Sequence, residues 1–119
     1  MANEINISTS ISATKNGVTL SNNSSKTLDM AGDQMISNVQ IVGITYEAAL
    51  LGDVVTIGYV FIKNMDTTNF IEVDSATAMN AFPQKLKAGE FCILKPETAT
   101  IYLKADTAPC NVQVVAFEL

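Results

Sequence analysis

Apolar and polar residues alternate along most of the chain from residue 28 onward, which is the pattern of half-buried β-strands. The longest such run is "MISNVQIVGITYEAAL", and its β-branched content favours a strand over a helix. Alternation divides this run between two faces. One face carries Ile36, Asn38, Gln40, Val42, Ile44 and Tyr46, and the other carries Met35, Ser37, Val39, Ile41 and Gly43.

Further strand-like segments follow one another to the end of the chain. They read "VVTIGYVFIK", "FIEVD", "FPQKLK", "EFCILK", "TIYLKA" and "NVQVVAFEL", and short runs of turn-forming residues separate them. About eight to ten short strands with regularly spaced turns are typical of all-β domains. The sequence therefore predicts an all-β, antiparallel β-sandwich, and a jelly roll in preference to a closed barrel.

The first residues have a different composition. From Ser8 to Thr27, 13 of 20 residues are Ser, Thr or Asn. Isoleucines at odd positions and Val18 with Leu20 at even ones fit two short edge strands that break at Asn16-Gly17. We expect a polar N-terminal arm over residues 1–27 and a β-sandwich domain over residues 28–119. The pattern fits an irregular lead-in as well as an arm that orders against another subunit.

Two segments are apolar on both of their strand faces. "VVTIGYVFI" places Val55, Ile57, Tyr59 and Phe61 on one face and Val54, Thr56, Gly58, Val60 and Ile62 on the other. The C-terminal "NVQVVAFEL" has the same character. Either the N-terminal segment or a loop covers the second face, or another subunit does. The subunit alternative predicts an interface formed by Val54, Val60, Ile62, Val115, Phe117 and Leu119.

Charge and composition narrow the possible functions. The chain has seven lysines, no arginine, no histidine and a net charge of −5. A basic footprint for nucleic acid is missing, and so is the usual general base or metal ligand, so we expect no nucleic-acid partner, no enzyme activity and no cofactor. No apolar run is long enough for a membrane span. Cys92 and Cys110 are expected to be small buried hydrophobes, with a disulfide as the alternative.

Three groups of residues suggest specific chemistry. "KNMDTTN" offers oxygen ligands for calcium, but it holds one carboxylate, and Asn and Asp are equally suited to a hairpin turn, which we favour. Glycosidase carboxylates could come from Glu47, Asp53, Glu90 and Glu97, although no spacing pairs them. Tyr59 or Tyr102 could form a platform in a carbohydrate site.

The segment "GYVFIKNMDTTNFIEV", followed by "FPQKLKAGEFCILKP", "TIYLKADTAP" and the ending Phe117-Glu118-Leu119, resembles small virion proteins of tailed bacteriophages. The resemblance covers the chain from Gly58 to its end and rests on an aromatic-aliphatic strand followed by "KN-D-TN", "LKAGE" and "KAD". Such proteins are β-sandwiches that decorate or cement capsids or form parts of fibres, commonly as homo-oligomers. The resemblance identifies no individual functional residue.

The resemblance implies a non-enzymatic capsid decoration or cement protein. We expect it to oligomerise, as a trimer, and to bind the major capsid protein or another virion protein on the outer capsid surface. It would be made in the host cytoplasm and reside in the virion. The alternative is a head or tail fibre module, or a β-sandwich that binds a carbohydrate or receptor.

Overall fold

The computed structural model describes residues 4–75, 79, 81–97 and 100–118. These residues form β-strands and no helix, so none of their segments is a helix that could cross a bilayer. The strands are β1 (Ile5–Lys15), β2 (Val18–Leu28), β3 (Met35–Val42), β4 (Glu47–Ala48), β5 (Ile57–Asn64), β6 (Ile71–Asp74), β7 (Gln84–Leu86), β8 (Phe91–Leu94), β9 (Tyr102–Ala105) and β10 (Cys110–Glu118).

The chain divides into two compact units, residues 1–31 and 32–119. The first unit contains a hairpin in which β1 and β2 pair without interruption from Ile5↔Leu28 to Lys15↔Val18. Asn16 and Gly17, which form its turn, have φ of 52° and 79°. Positive φ at both central residues matches the twist of the flanking strands, and Asn-Gly accepts that conformation readily. The predicted break at Asn16-Gly17 is confirmed, and the strands are longer than expected.

The second unit contains two four-stranded sheets, with orders β3-β10-β5-β8 and β4-β9-β6-β7. Every paired strand in them is antiparallel. From β3 to β10, every connection between consecutive strands leads to the other sheet, except the one from β6 to β7. The predicted all-β, antiparallel β-sandwich is confirmed.

Side chains from both sheets form one core. Alternate residues of β5 and β10 are buried, as the two-residue period of a strand requires. They pack in a single cluster with buried side chains of β6, β7 and β9. The other sheet of the same chain therefore covers the inner face of "VVTIGYVFI".

This core corrects half of the predicted interface. Val60 and Ile62 are fully buried and Val54 nearly so, all within one copy of the chain. The prediction that these three residues contact another subunit is wrong, because their face of the strand is the one that meets the opposite sheet. Val115 and Phe117 are half-buried on the other face of β10. Leu119 lies outside the described residues.

Candidate functional site

The outer side of the sheet β3-β10-β5-β8 is covered with apolar side chains. On its two edge strands they are exposed: on β3, Met35 is 64%, Val39 58% and Ile41 70% exposed, and on β8, Phe91 is 61% exposed. On the two central strands they are half-buried. We call this surface the apolar face; it comprises Met35, Val39, Ile41, Tyr59, Phe61, Phe91, Ile93, Val115 and Phe117.

Strand register places these side chains in rows across the sheet. Val115 lies between Ser37 and Phe61, and Phe61 has Ile93 on its other side. The rings of Phe61 and Phe91 also contact each other, with centroids 5.7 Å apart and planes inclined by 32°. Adjacent aromatic and aliphatic residues on one sheet face stabilise the sheet, and here they form an apolar surface that Ser37, Asn111 and Gln113 interrupt.

Charge is sparse on this side of the sheet. Lys63 lies in the row between Gln113 and Phe91, and beyond the end of β8 the Nζ atom of Lys95 is 5.7 Å from the centroid of the Tyr59 ring. Both lysines keep their long apolar stems near the aromatic side chains, which is compatible with an apolar surface.

The outer side of the other sheet has a different character. There Glu72 lies between Lys85 and Lys104 in one row across β7, β6 and β9. The Nζ atom of Lys85 is 4.2 Å from the centroid of the Phe70 ring. Alternating charges of this kind are typical of a surface in water. Of the two outer faces, the one on the sheet β3-β10-β5-β8 therefore has the more apolar composition, which is typical of a surface that becomes buried.

The edge strand β3 shows why the sequence alone does not identify half of the apolar face. Its inward side carries Gln40, which is almost fully buried, while its outward side carries Val39 and Ile41. The Gln40 amide binds segment 47–50: Nε2 donates to Glu47 Oε1 at 3.1 Å and to the Ala48 carbonyl at 3.0 Å, and Oε1 accepts the Leu50 N–H at 2.9 Å. Polar side chains on both faces made the orientation of β3 ambiguous in the sequence. In β3 and β8 the sequence shows that residues alternate between two faces, but it does not show which face points outward.

In loop 63–69, the candidate calcium site, the side-chain oxygens of Asn64 and Asp66 accept hydrogen bonds from backbone N–H groups of the same loop. Asp66 Oδ2 accepts the N–H groups of Thr68 at 3.0 Å and Asn69 at 2.6 Å. The buried Asn64 accepts the Asp66 N–H through Oδ1, and its Nδ2 donates to the carbonyls of Asn69 and Leu86. Within the described ranges no three His, Cys, Asp or Glu side chains cluster as a metal site. The favoured turn interpretation is confirmed by these bonds.

The same loop predicts a pH effect. The Asn69 and Thr68 N–H groups bind the ionised carboxylate and lower the pKa of Asp66 below its ordinary value of 3.8. Because the folded pKa is depressed, this contribution to stability is present above the ordinary pKa and is lost as the pH falls through the folded pKa. In thermal melts at pH 7 and pH 3, we expect the difference between the wild type and Asp66→Asn to shrink at pH 3. A difference that grows on acidification would contradict this.

Both cysteines are free. Cys110 is buried and Cys92 half-buried. Burial raises the pKa of Cys92 to about 11, so little of it is thiolate at neutral pH. The expectation of a small buried hydrophobe is confirmed for Cys110, whereas Cys92 is half-buried, and neither forms a disulfide.

A cavity of about 360 Å³ lies at one end of the sandwich. Its described lining includes Asp74, Phe82 and Glu97, but neither Tyr59 nor Tyr102, which were the predicted aromatic platform. The Asp74 carboxylate accepts the backbone N–H groups of Ser75, Ala81 and Phe82. Asp74 therefore organises the segment that follows β6.

The other candidate carboxylates have separate roles. Glu47 accepts the Gly43 N–H and a Gln40 amide hydrogen, and Glu90 accepts the Lys87 N–H in the turn before β8. Asp53 is exposed. Of the four predicted carboxylates, Glu97 is the one found among the described residues of the cavity wall.

Comparisons with protein-family models, with curated proteins and with solved structures gave no match. The resemblance to phage virion proteins therefore rests on the sequence pattern quoted above.

Proposed function

We propose that this chain is a non-enzymatic structural protein of a tailed-phage virion, a decoration or cement protein that forms a homo-oligomer and binds the outer capsid surface. The observation that carries the proposal is the apolar face. A surface of this kind on a single copy favours burial against protein. In the assembled trimer, the apolar faces pack between subunits. The trimer then binds the major capsid protein or another virion protein.

The size of the apolar face is compatible with this use. Three of its strands are about 26 Å long and β8, with four residues, is about 13 Å long, so at about 4.8 Å per strand the face has a plan area of about 440 Å². This lies within the range of the largest apolar patches on ordinary monomers, about 300–600 Å², which are often functional. It is somewhat smaller than one side of a standard protein interface, about 800 Å² per partner. Repeated copies on a symmetric shell would add avidity to a contact of this size.

The strand orders also support the jelly-roll part of the proposal. A jelly roll has eight strands in two sheets and is built from two Greek keys. In this chain, the last strand β10 lies between the first and third strands of the sandwich, and β9 lies between the second and fourth. This nested arrangement is the one that folding a long antiparallel ribbon over itself produces.

The alternative function, a fibre or carbohydrate-binding module, draws its support from the cavity. Phe82 at its rim is 77% exposed and could stack on a sugar ring. A glycan array distinguishes the two proposals. Reproducible binding that is lost in Phe82→Ala would favour recognition over capsid decoration.

Light scattering after size-exclusion chromatography tests the assembly part of the proposal. We expect a stable species of about three times the chain mass of 12.7 kDa at micromolar concentration. Incubation with capsids of the phage that encodes the chain, followed by sedimentation, should bring the oligomer down with the particles. A monomer that stays in the supernatant would overturn the proposal.

A further inference from the structure

Glu118, the last residue of β10, ends an inward row of side chains. Val112, Val114 and Ala116, at every second position before it, are fully buried on the side that faces the other sheet. Glu118 continues this alternation at the end of the sandwich, where it is half-buried. A carboxylate in such a position requires hydrogen-bond donors, because desolvation without them disfavours its charge.

Backbone N–H groups of two segments provide these donors. The Val55 N–H donates to Glu118 Oε2 at 3.1 Å, and this bond is the main cause that lowers the pKa of Glu118 below its ordinary value of 4.5. The N–H groups of Gln34, Thr56 and Asp33 act on the pKa in the same direction, while partial burial opposes them. The donors thus come from the segment before β3 and from the segment before β5.

Gly32 leaves the room that the carboxylate occupies. A Cβ atom placed on Gly32 would overlap Glu118 Oε1, and the three heavy atoms nearest to it all belong to the Glu118 side chain. Gly32 does not have a positive φ, so it lacks the usual backbone reason for glycine. The absence of a side chain at Gly32 therefore matters for the close approach of the carboxylate.

We propose that residues 32–34 and 55–56 form a binding site for a carboxylate, which the chain fills with its own Glu118. Converging backbone N–H groups bind anions without a charged side chain, and glycine lets the anion come close to the backbone. In the described chain, these N–H groups rather than a lysine supply the attraction. The Glu118 N–H also donates to the Gln34 carbonyl at 2.9 Å, so the main chain and the side chain of Glu118 bind the same segment.

The site anchors the end of β10 at one corner of the apolar face. Phe117, the residue before Glu118, pairs with Met35 at the first position of β3, and both belong to that face. Beyond Ala116 the register between β10 and β5 shifts, so the regular ladder is interrupted there. The carboxylate joins this strand end to the segments that lead into both neighbouring strands, β3 and β5.

Chemical rescue in the full-length chain tests the proposal. Glu118→Ala empties the site, so its midpoint of thermal unfolding should fall by a few degrees. Sodium acetate, compared with sodium chloride at equal ionic strength, should raise that midpoint by more than it raises the wild-type midpoint, because acetate binds the emptied site in the folded state. Glu118→Gln keeps the site filled and should show no such extra gain. The matched control is Asp53→Ala, which removes an exposed carboxylate two residues before Val55 and should respond to acetate as the wild type does.

Amide hydrogen exchange gives a second, local measurement. The Val55 N–H should exchange at least about 10-fold faster in Glu118→Ala than in the wild type, and acetate should restore part of its protection. Unchanged exchange at Val55, or equal acetate responses in Glu118→Ala and Asp53→Ala, would overturn the proposal. The site lies within one copy of the chain, so measurements at low protein concentration do not depend on the proposed oligomer.

Gly32→Ala tests the site from its other side. In the wild type the new Cβ displaces the carboxylate, so this variant should lose about as much stability as Glu118→Ala does. In the Glu118→Ala background the space is free, so Gly32→Ala should be neutral or slightly stabilising, since alanine restricts the unfolded chain more than glycine. It should also abolish the extra gain with acetate. Additive losses in the double variant would contradict the proposal, because independent positions add and a shared site does not.

Discussion

Ile62→Ala is expected to lower the free energy of unfolding by about 2–5 kcal/mol, since it removes a fully buried side chain and leaves a cavity between the sheets. Ile62 lies on β5, between β10 and β8, and its side chain belongs to the core cluster shared by both sheets. Close-packed interiors relax only partly around such a deletion. The midpoint of thermal unfolding should fall by about 10 °C or more, because each kcal/mol shifts a domain of this size by about 4–8 °C.

The neighbouring residue provides the matched control for this substitution. Phe61 points to the apolar face, where it contacts Phe91. Phe61→Ala should cost about 1 kcal/mol in the isolated chain, the size of an aromatic pair. Both variants are melted at low protein concentration, so that association does not add to the apparent stability. A smaller effect at Ile62 than at Phe61 would mean that the inward and outward faces of β5 are assigned the wrong way round.

The contrast between Ile62 and Phe61 also shows which features of this fold a local sequence pattern specifies and which it does not. Alternation and turn residues identified the strands and the sandwich, because both depend on local pattern. A strand that is apolar on both sides, as β5 is, offers no local signal for which side faces inward. That assignment depends on which other strands pack against it, and those contacts join residues far apart in the chain.

The edge strands show the same difficulty in another form. On β3, the buried Gln40 satisfies segment 47–50, so a polar side chain points inward and Val39 points outward. Hydrogen bonding of this kind lets a buried position of β3 hold a polar residue, although Val42 on the same inward side is a fully buried apolar residue. The hairpin is a simpler case, since Asn16-Gly17 specified its turn and the turn fixed the register of all 22 strand residues.

Phe91→Asp is expected to weaken self-association of the chain by at least about 100-fold, because it replaces an aromatic side chain that would be buried with a charge that would have to be desolvated. Phe91 is 61% exposed in one copy and stands beside Lys63 and Phe61 on the apolar face. Little of its surface is needed for folding, so the variant should still melt cooperatively. The measurement is sedimentation equilibrium on the wild type and the variant.

Phe82→Asp is the matched control for this second prediction. Phe82 is also an exposed phenylalanine, but it lies at the cavity and outside the apolar face. The two variants make the same chemical change at two different surfaces. If the apolar face mediates assembly, Phe91→Asp dissociates the oligomer and Phe82→Asp leaves it intact. If Phe82→Asp alone changes behaviour, by removing glycan binding, the cavity is the functional surface and the apolar face is an unused part of the fold.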